Sequence, residues 1–459
     1  MGSKFSKIGF VLAVAGSAVG LGNAWKFPTL VGQNGGSAFI LLYLFLTLCV
    51  GFVVFLAELS IGKLSEKDPV NAYAKLAPQH KKAWSLVGFT MLGAILIVSF
   101  YSLVIAWIAK YAVSSIFSLP KNIEQAESHF ITLITNSPLV QILSFSLVFF
   151  LVFFIVSRGI KNGIEKLNVW MMPTLFILLI AMLLYALSYS GLTQAASFLF
   201  KPNFSKIGVD SVLSALGLAF FSLSLGVGTI ITYSASLPDK TNFITSTLWI
   251  IFINILIGLM MGLIVFTFIF EFGADPSQQG PGLIFISLTT LFSHLGPVGN
   301  VLALCFFISL FFAGITSAIS MIEPFAFYLI NTFKFSRLKA LVCIGIFVYA
   351  LGLACILSSN ESTHFELFGK SFFDVLDFLA SNIIMPFGGI AATVFVGFVL
   401  KKEALKILFS PYMSGVFFEL WYFFLRFIVP LIIIIIAINS IYPLQNFLGM
   451  LGIIVGMIV

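Results

Sequence analysis

Apolar stretches long enough to cross a membrane recur from one end of this sequence to the other. A transmembrane helix needs about 20 apolar residues, and the chain offers about eleven such segments. They lie near residues 8 to 33, 37 to 63, 84 to 117, 139 to 157, 165 to 189, 211 to 237, 243 to 272, 298 to 332, 336 to 358, 372 to 400 and 413 to 442. Only 9% of the residues are charged, against roughly 25% in a soluble domain. We therefore predict an all-α polytopic membrane protein in which residues 1–459 form a single transmembrane domain.

Lys and Arg residues are distributed unevenly among the predicted loops. With a cytoplasmic N-terminus, 17 of the 24 fall in cytoplasmic loops and five in external ones. Because cytoplasmic loops collect Lys and Arg, we predict this orientation for a multi-pass protein of the inner (plasma) membrane. The basic residues are scattered rather than gathered on one face, so no nucleic-acid partner is predicted.

Two predicted spans carry a Gly-x-Gly sequence at mid-membrane depth. Span one has Gly20 and Gly22 beside Asn23, and span six has Gly226 and Gly228. Glycine lowers helix propensity by up to about 1 kcal/mol, so we predict local unwinding at both places. Close helix packing through small residues is the alternative. The two sequences lie five spans apart, as corresponding positions of an internal transporter repeat do.

Such a repeat divides the spans into two sets of five. Repeat one covers about 8–189 and repeat two about 211–400, followed by an additional helix at about 413–442 and a short apolar tail at 446–459. Lipid cannot satisfy unwound backbone, so the interruptions must line a cavity or be buried in protein. Freed N–H groups suit a carboxylate, and freed carbonyls without an acidic cluster indicate Na+ rather than a divalent ion.

Four motifs follow one another along the sequence. They are Ala18-Val19-Gly20-Leu21-Gly22-Asn23 with Lys26-Phe27-Pro28, Asn34-Gly35-Gly36, Phe220-Phe221-Ser222-Leu223-Ser224-Leu225-Gly226, and Phe312-Ala313-Gly314-Ile315-Thr316-Ser317. Together they closely resemble the neurotransmitter:sodium symporter family with the LeuT fold, from about residue 5 to the eleventh span. The resemblance implies a 5+5 inverted repeat with broken helices 1 and 6. It also implies a bacterial sodium-dependent amino acid transporter that works by alternating access and is not an enzyme.

The resemblance further implies two sodium sites built from oxygen atoms. The first would use Ala18, Asn23, Ser222, Asn254 and the substrate carboxylate. The second would use carbonyls of Gly16, Val19 and Ala313 with hydroxyls of Thr316 and Ser317. Taken alone, these two hydroxyls are equally typical of helix packing. Because the substrate carboxylate is a ligand in the first site, sodium and substrate are expected to raise each other's affinity.

By resemblance, the substrate lies between spans one, three, six and eight. Its carboxylate is expected at the first sodium ion, the backbone of Leu21 and Gly22, and the hydroxyl of Tyr101, although Tyr101 alone is also typical of a packed aromatic residue. Its side chain is expected against Ile97, Tyr101, Phe221, Ser224, Val227, Ser317 and Met321. This lining predicts a hydrophobic amino acid, bulky aliphatic or aromatic, such as leucine, phenylalanine or tryptophan. Amine-transporting relatives have an aspartate in place of Gly20, which disfavours a monoamine.

Charged residues inside spans are costly and are therefore functional candidates. By resemblance, Lys26 and Asp377 form an outer gate, in which Lys26 replaces the usual Arg and loses its bidentate geometry. Snorkelling of Lys26 to the outer interface is the alternative. Glu58 matches a glutamate that accepts hydrogen bonds from amides of the broken sixth span. No role is predicted for Glu323, Glu419 and Arg426.

Two family features are altered in this sequence. Met1 and Asn331 replace the Arg and Asp of the inner gate. The inner side must then be closed in another way, either by Lys4 or Lys7 pairing with a different acceptor or by packing alone. Tyr43, Ser222 and Asn254 match the family's chloride ligands, whereas Leu218 replaces a Gln. Gly258 replaces the acid of chloride-independent members and the Ser of dependent ones. Chloride dependence is therefore left open.

Three other functions are weighed against symport. An intramembrane enzyme is excluded because the predicted spans contain no Ser-His pair, Asp pair or metal-spaced cluster. The four histidines all fall in predicted loops: His80, His129, His294 and His364. A non-transporting amino-acid sensor would keep the binding site without the cycle. A proton-coupled carrier would usually place a cationic side chain in one sodium site, and the oxygen donors of both sites are intact.

Overall fold

The computed structural model describes residues 5–237, 241–276 and 283–441, with side chains described as far as Ile435. Met1, Lys4 and the predicted tail at 446–459 lie outside the described residues, as does residue 442 at the end of the eleventh predicted segment.

Helices make up nearly all of the described chain. In order they are α1 (Lys7–Ala18), α2 (Gly22–Gln33), α3 (Ser37–Ser65), α4 (Pro69–Leu76), α5 (Lys81–Phe117), α6 (Ile123–Thr135), α7 (Pro138–Ser157), α8 (Ile160–Ala186), α9 (Gly191–Phe200), α10 (Val209–Ser222), α11 (Thr229–Ala235), α12 (Phe243–Glu271), α13 (Leu283–Ser293), α14 (Pro297–Phe333), α15 (Arg337–Ser359), α16 (Phe372–Val399), α17 (Lys402–Phe409) and α18 (Gly415–Ile441). A two-stranded antiparallel hairpin, β1 (Glu366–Leu367) and β2 (Lys370–Ser371), precedes α16.

Within the described residues, nine helices are long and apolar enough to cross a membrane, and the bent pair α1 and α2 makes ten. The nine are α3, α5, α7, α8, α12, α14, α15, α16 and α18. The sixth predicted segment is divided between α10 and α11. The prediction of an all-α polytopic protein is confirmed, apart from the small hairpin.

Apolar side chains also cover the outside of the molecule. On α7, Leu143, Leu147, Phe150 and Phe154 recur three or four residues apart and are 55–65% exposed. This spacing places them on one face of the helix. A contiguous apolar face of this kind is stable in lipid and not in water.

The two predicted interruptions are present. α1 and α2 meet at an angle of 49°, across Val19, Gly20 and Leu21. Between α10 and α11 the backbone turns left-handed at Ser224 (φ 54°), Gly226 (φ 80°) and Gly228 (φ 73°). Glycine adopts this conformation without steric cost, so the Gly-x-Gly sequence of span six permits the break.

Spans one and eight lie at the centre of the helical packing. α14 packs along α5, and α1 lies against α14, α12 and α8. The broken part of span one is therefore enclosed by protein, as unwound backbone in a membrane requires.

Candidate functional site

The interruption of span one places backbone groups that have left the regular helical pattern beside α5. Gly20 N–H donates to the Ala18 carbonyl at 3.1 Å, and Leu21 N–H donates to the hydroxyl of Tyr101 at 2.7 Å. Tyr101 is 2% exposed. The structure thus brings together Leu21 and Tyr101, two of the groups predicted to meet a carboxylate.

Gly20 lies in a narrow space between α5 and α14. A Cβ atom added to Gly20 would collide with the Tyr101 hydroxyl and with Ser317 Oγ. A side chain at position 20 would therefore require Tyr101 or Ser317 to move.

The interruption of span six is held by side chains of neighbouring spans. Gly226 N–H donates to Glu58 Oε1 on α3 at 2.6 Å, and Glu58 is 1% exposed. Ser224 Oγ donates to the Ser17 carbonyl at 2.9 Å. These bonds satisfy backbone groups that have left the helical pattern, and they tie the two interruptions to each other and to α3.

The four residues predicted for the first sodium site meet around the side-chain amide of Asn254. Its Oδ1 atom accepts a hydrogen bond from Asn23 Nδ2 at 2.7 Å. The same atom lies 3.1 Å from the Ser222 carbonyl oxygen, 3.2 Å from the Ala18 carbonyl oxygen and 3.2 Å from Asn23 Oδ1. On its other side, Asn254 Nδ2 donates to Tyr43 Oη at 3.1 Å and to Ser222 Oγ at 3.2 Å.

Oxygen atoms this close repel one another unless a proton or a cation lies among them. Exchanging the oxygen and nitrogen of the Asn254 amide would convert the contacts into hydrogen bonds. A cation between the oxygens of Ala18, Asn23, Ser222 and Asn254 would offset the repulsion between these oxygens equally well. These four residues have no charged side chain, which suits a monovalent cation.

The residues predicted for the second sodium site lie where α1 meets α14. Ser317 Oγ donates to the Gly16 carbonyl at 3.1 Å, and Thr316 Oγ1 lies 3.1 Å from the Ala313 carbonyl. Val19 is buried at the end of α1, but no hydrogen bond in the described chain joins its carbonyl to either hydroxyl. Ser317 and Gly16 are thus linked across the two helices, whereas Thr316 and Ala313 are linked only within α14.

The residues predicted to contact the substrate side chain are all buried. Phe221 is 8% exposed and Met321 4%, and the others are 2% exposed or less. Tyr101 and Phe221, with Leu21, line a cavity of about 20 Å³ on the side of the outer gate. Val227 faces α5, because a Cβ atom added to Gly93 would lie 3.1 Å from Val227 Cγ1.

The predicted outer gate is closed. Lys26 Nζ lies 3.1 Å from Asp377 Oδ1 and 3.9 Å from the centre of the Phe221 ring. Ser381 Oγ donates to Asp377 Oδ1 at 2.8 Å. Lys26, Phe221 and Asp377 line both the 20 Å³ cavity and an outer cavity of about 530 Å³, so they separate the two.

The opposite end is closed by contacts that sequence reasoning did not identify. Ser6 Oγ donates to Glu165 Oε1 on α8 at 2.5 Å. Asn331 Nδ2 donates to Asp68 Oδ2 at 3.1 Å. Asn331 therefore takes part in a contact at this end by donating a hydrogen bond to Asp68, although it cannot supply the carboxylate of the family's inner gate. The same Asp68 also caps α4, through the N–H of Asn71 at 3.1 Å.

The three charged residues without a predicted role have partners. Glu323, whose side chain is 2% exposed, lies 2.5 Å from Arg337 Nη2. Glu419 lies 2.6 Å from Lys402 and 3.1 Å from Lys406. The Arg426 guanidinium lies 4.4 Å from the centre of the Phe398 ring. These contacts join residues distant in sequence, so no local pattern could have indicated them.

Ser17 is a further site residue that the motifs did not single out. Its carbonyl accepts from Ser224 Oγ at 2.9 Å and from Ser317 Oγ at 3.1 Å, and its hydroxyl accepts from Ser320 Oγ at 2.7 Å. Its position beside Gly16, just before the Gly-x-Gly sequence, was the available signal.

Comparison with known proteins gives consistent matches along almost the whole chain. The model of the family described as "Sodium:neurotransmitter symporter family" matches residues 3–132 and 135–448. The chain is 38% identical to "Uncharacterized sodium-dependent transporter YhdH" of Bacillus subtilis (strain 168), over 95% of this chain and 97% of that protein. It is 26% identical to the sodium-dependent dopamine transporter of Bos taurus, over 83% of this chain and 60% of that protein. The crystal structure of MhsT in complex with L-phenylalanine matches with a TM-score of 0.87 and 33% identity, over 95% of this chain and 99% of that one.

Proposed function

The chain belongs to the sodium:neurotransmitter symporter family, and from that premise we propose that it imports a hydrophobic amino acid, bulky aliphatic or aromatic, together with sodium. Its fold is the LeuT fold of MhsT. It is a sodium-dependent membrane transporter and not an enzyme.

The single observation that carries the proposal is the position of the oxygen cluster near the groups that are predicted to bind a carboxylate. Ala18 contributes to the cluster, and Leu21, three residues later, donates to Tyr101 at 2.7 Å. An amino acid carboxylate placed beside Leu21 and Tyr101 would reach the same cation as Ala18, Asn23, Ser222 and Asn254. The cation would then neutralise the substrate's negative charge in a buried place, where an unpaired charge is costly.

The substrate class follows from Gly20 and from the pocket lining. Gly20 supplies no carboxylate, and the Tyr101 hydroxyl and Ser317 Oγ lie where a longer side chain would begin, which favours a substrate with its own carboxylate, an amino acid rather than an amine. The lining combines apolar side chains such as Phe221 and Met321 with few hydroxyl groups, which favours an apolar side chain. MhsT, whose structure contains L-phenylalanine, supports this reading by its overall likeness.

We infer two sodium ions in each transport cycle, one at each predicted site. The first ion shares the substrate carboxylate, so each binder raises the other's affinity reciprocally. The second ion would join α1 to α14 through Gly16, Ala313, Thr316 and Ser317. In alternating access, α1 is the half of the broken span that moves. An ion that joins α1 to α14 would therefore favour the state in which α1 is packed against α14.

The transport cycle would start from an outward-open state, with the N-terminus in the cytoplasm of a cell's inner (plasma) membrane. Lys26 and Asp377 close above the bound substrate, and the contacts of Ser6 and Asn331 then open below it. The closed contacts at both ends are those expected of an occluded intermediate of this cycle.

Anion dependence can be tested at the same site. Tyr43 Oη lies 3.2 Å from Ser222 Oγ, but Leu218 and Gly258 contribute no polar side chain to this end of the cluster. Replacing external chloride with gluconate should leave uptake rate and affinity unchanged if no anion binds.

The deciding experiment is uptake into proteoliposomes that contain the purified full chain. Labelled leucine, phenylalanine and tryptophan are offered with an inward sodium gradient or with choline in place of sodium. Accumulation only with sodium supports symport, and unlabelled glycine and alanine should compete less well than the three substrates. Binding without accumulation would instead identify a sensor, and equal uptake in choline with a response to a pH gradient would identify a proton-coupled carrier.

A further inference from the structure

Asn168 on α8 is a buried amide with an oxygen that has no partner. The residue is 0% exposed, and its Nδ2 donates to the Ile164 carbonyl at 2.8 Å. Its Oδ1 accepts no hydrogen bond from any residue that the structure describes. The bond to Ile164 fixes which end of the amide points away, so Oδ1 is directed at α1.

The Asn168 oxygen lies against Gly16. A Cβ atom added to Gly16 would collide with Asn168 Oδ1, and it would lie 3.2 Å from Thr316 Cβ. The Gly16 carbonyl accepts from Ser317 Oγ at 3.1 Å. Gly16 is therefore packed against both α14 and Asn168 of α8.

Helix packing alone does not explain why the Asn168 oxygen is buried without a hydrogen bond from any described residue. The Cα–H group of Gly16 is a weak donor, and it does not compensate for removing an amide oxygen from water. Gln141 on α7 is a useful contrast, because it too is 0% exposed. Its Oε1 accepts from Trp107 Nε1 at 3.1 Å and its Nε2 donates to the Ile134 carbonyl at 2.9 Å. A buried amide in this protein can thus be satisfied at both ends.

We propose that Asn168 supplies a carboxamide oxygen from α8 to the second sodium site, next to the residues of α1 and α14. This inference rests on the proposed sodium-coupled function and extends it to a third helix. The unpartnered oxygen is what a sodium ion prefers as a ligand, and it lies beside Gly16, whose carbonyl is predicted to bind that ion. α8 would then take part in holding the ion and in releasing it when α1 moves.

The test compares Asn168→Leu with Asn168→Asp in proteoliposomes. Leucine removes the oxygen at similar volume, and aspartate keeps an oxygen with a stronger attraction for sodium. Asn168→Leu should raise the sodium concentration for half-maximal uptake roughly tenfold, as a loss of about 1.4 kcal/mol does. Asn168→Asp, assayed at alkaline pH, should not raise it. The apparent substrate affinity at saturating sodium should stay unchanged in both variants.

Gln141→Leu is the matched control, since it removes an equally buried amide whose partners, Trp107 and Ile134, are not predicted sodium ligands, and it should leave the sodium half-saturation unchanged. If Asn168→Leu does not fold, Asn168→Ala carries the same comparison without adding atoms. An unchanged sodium half-saturation in the folded variant, or an equal loss in the leucine and aspartate variants, overturns the proposal. Wild-type uptake that ignores sodium would instead overturn the proposed function, so the two failures are distinguishable.

Discussion

Glu58 on α3 accepts the backbone N–H of Gly226 at 2.6 Å, inside the interruption of span six. On the other side of Gly226, the backbone of Met385 on α16 lies where a Cβ atom would have to be placed. The left-handed turn is therefore held between two spans. An unwound segment needs such support, because in a membrane no water replaces its lost helical bonds.

Glu58→Ala should destabilise the protein by about 1–3 kcal/mol, the cost of leaving the buried Gly226 N–H without an acceptor. Thermal unfolding in detergent measures this loss, and sodium-dependent uptake should fall with it. Glu58→Gln keeps an acceptor oxygen and should retain most of the stability. Equal stability of the alanine variant and the wild type would show that the bond is not needed.

Asn23→Ala and Asn254→Ala should each weaken sodium and substrate binding together, by roughly tenfold or more, since each removes a side-chain oxygen from the predicted site of the shared ion. Equilibrium binding of labelled substrate at several sodium concentrations measures both affinities. Ser60→Ala is the control, because Ser60 is equally buried but donates only to the Leu56 carbonyl within its own helix, at 2.7 Å. Sodium dependence that stays at the wild-type value in both site variants would contradict the assignment.

Gly20→Ala should abolish high-affinity substrate binding, because the added Cβ atom would collide with the Tyr101 hydroxyl and Ser317 Oγ. Binding is measured at saturating sodium with labelled substrate. Gly217→Ala places the same methyl group in the span-six helix α10 with no atom within 4 Å, and it should bind normally. A Gly20→Ala protein with wild-type affinity would mean that α5 and α14, which carry Tyr101 and Ser317, move apart readily to make room for the methyl group.

Lys26→Ala and Asp377→Ala should speed substrate dissociation up to about tenfold. A part-exposed ion pair contributes about 0–1 kcal/mol and a cation–π contact about 0.5–1 kcal/mol, and Lys26 makes both. Washout of bound label measures the rate. The double variant should be no worse than Lys26→Ala alone, because either change already breaks the pair. Additive effects would argue against direct pairing. Removing the exposed Lys402–Glu419 pair should have no effect on the rate.

Arg337→Met should destabilise the protein by about 3–5 kcal/mol, because it leaves the buried carboxylate of Glu323 unpaired. The double variant Glu323→Leu with Arg337→Met should recover most of that loss, since neither charge then remains. Thermal unfolding of Arg337→Met, of Glu323→Leu and of the double variant gives the coupling energy. Equal destabilisation in all three would show that the two residues do not act as a pair.

The spans could be predicted from the sequence because the requirement for each is local. A helix in lipid must carry about 20 apolar residues of its own, and the predicted segment 298–332 corresponds to α14 at Pro297–Phe333. The largest difference was at span five, predicted from residue 165 and found from Ile160. Its first turn, which contains Lys161 and Asn162, is helical but polar, so hydropathy alone could not indicate it.

The glycines of spans one and six also indicated the interruptions from the sequence alone. A left-handed backbone at Gly226 and Gly228 follows from the lack of a Cβ atom, which is a property of the residue itself. The residue types of the two predicted ion sites followed from the resemblance of the motifs around these glycines.

Tertiary structure alone decided which distant side chains meet. Ser6 pairs with Glu165, 159 residues away, a contact that no motif indicated, and Glu323 pairs with Arg337 across a turn. Within the described chain, the Asn168 oxygen has no hydrogen-bond partner because the bond of its amide nitrogen turns it toward the α1 backbone, which only the packed structure reveals. Apolar spacing and glycine content act within one helix and can be read along the chain. Hydrogen bonds and ion pairs depend on how helices cross, which is set by the packing of all of them together.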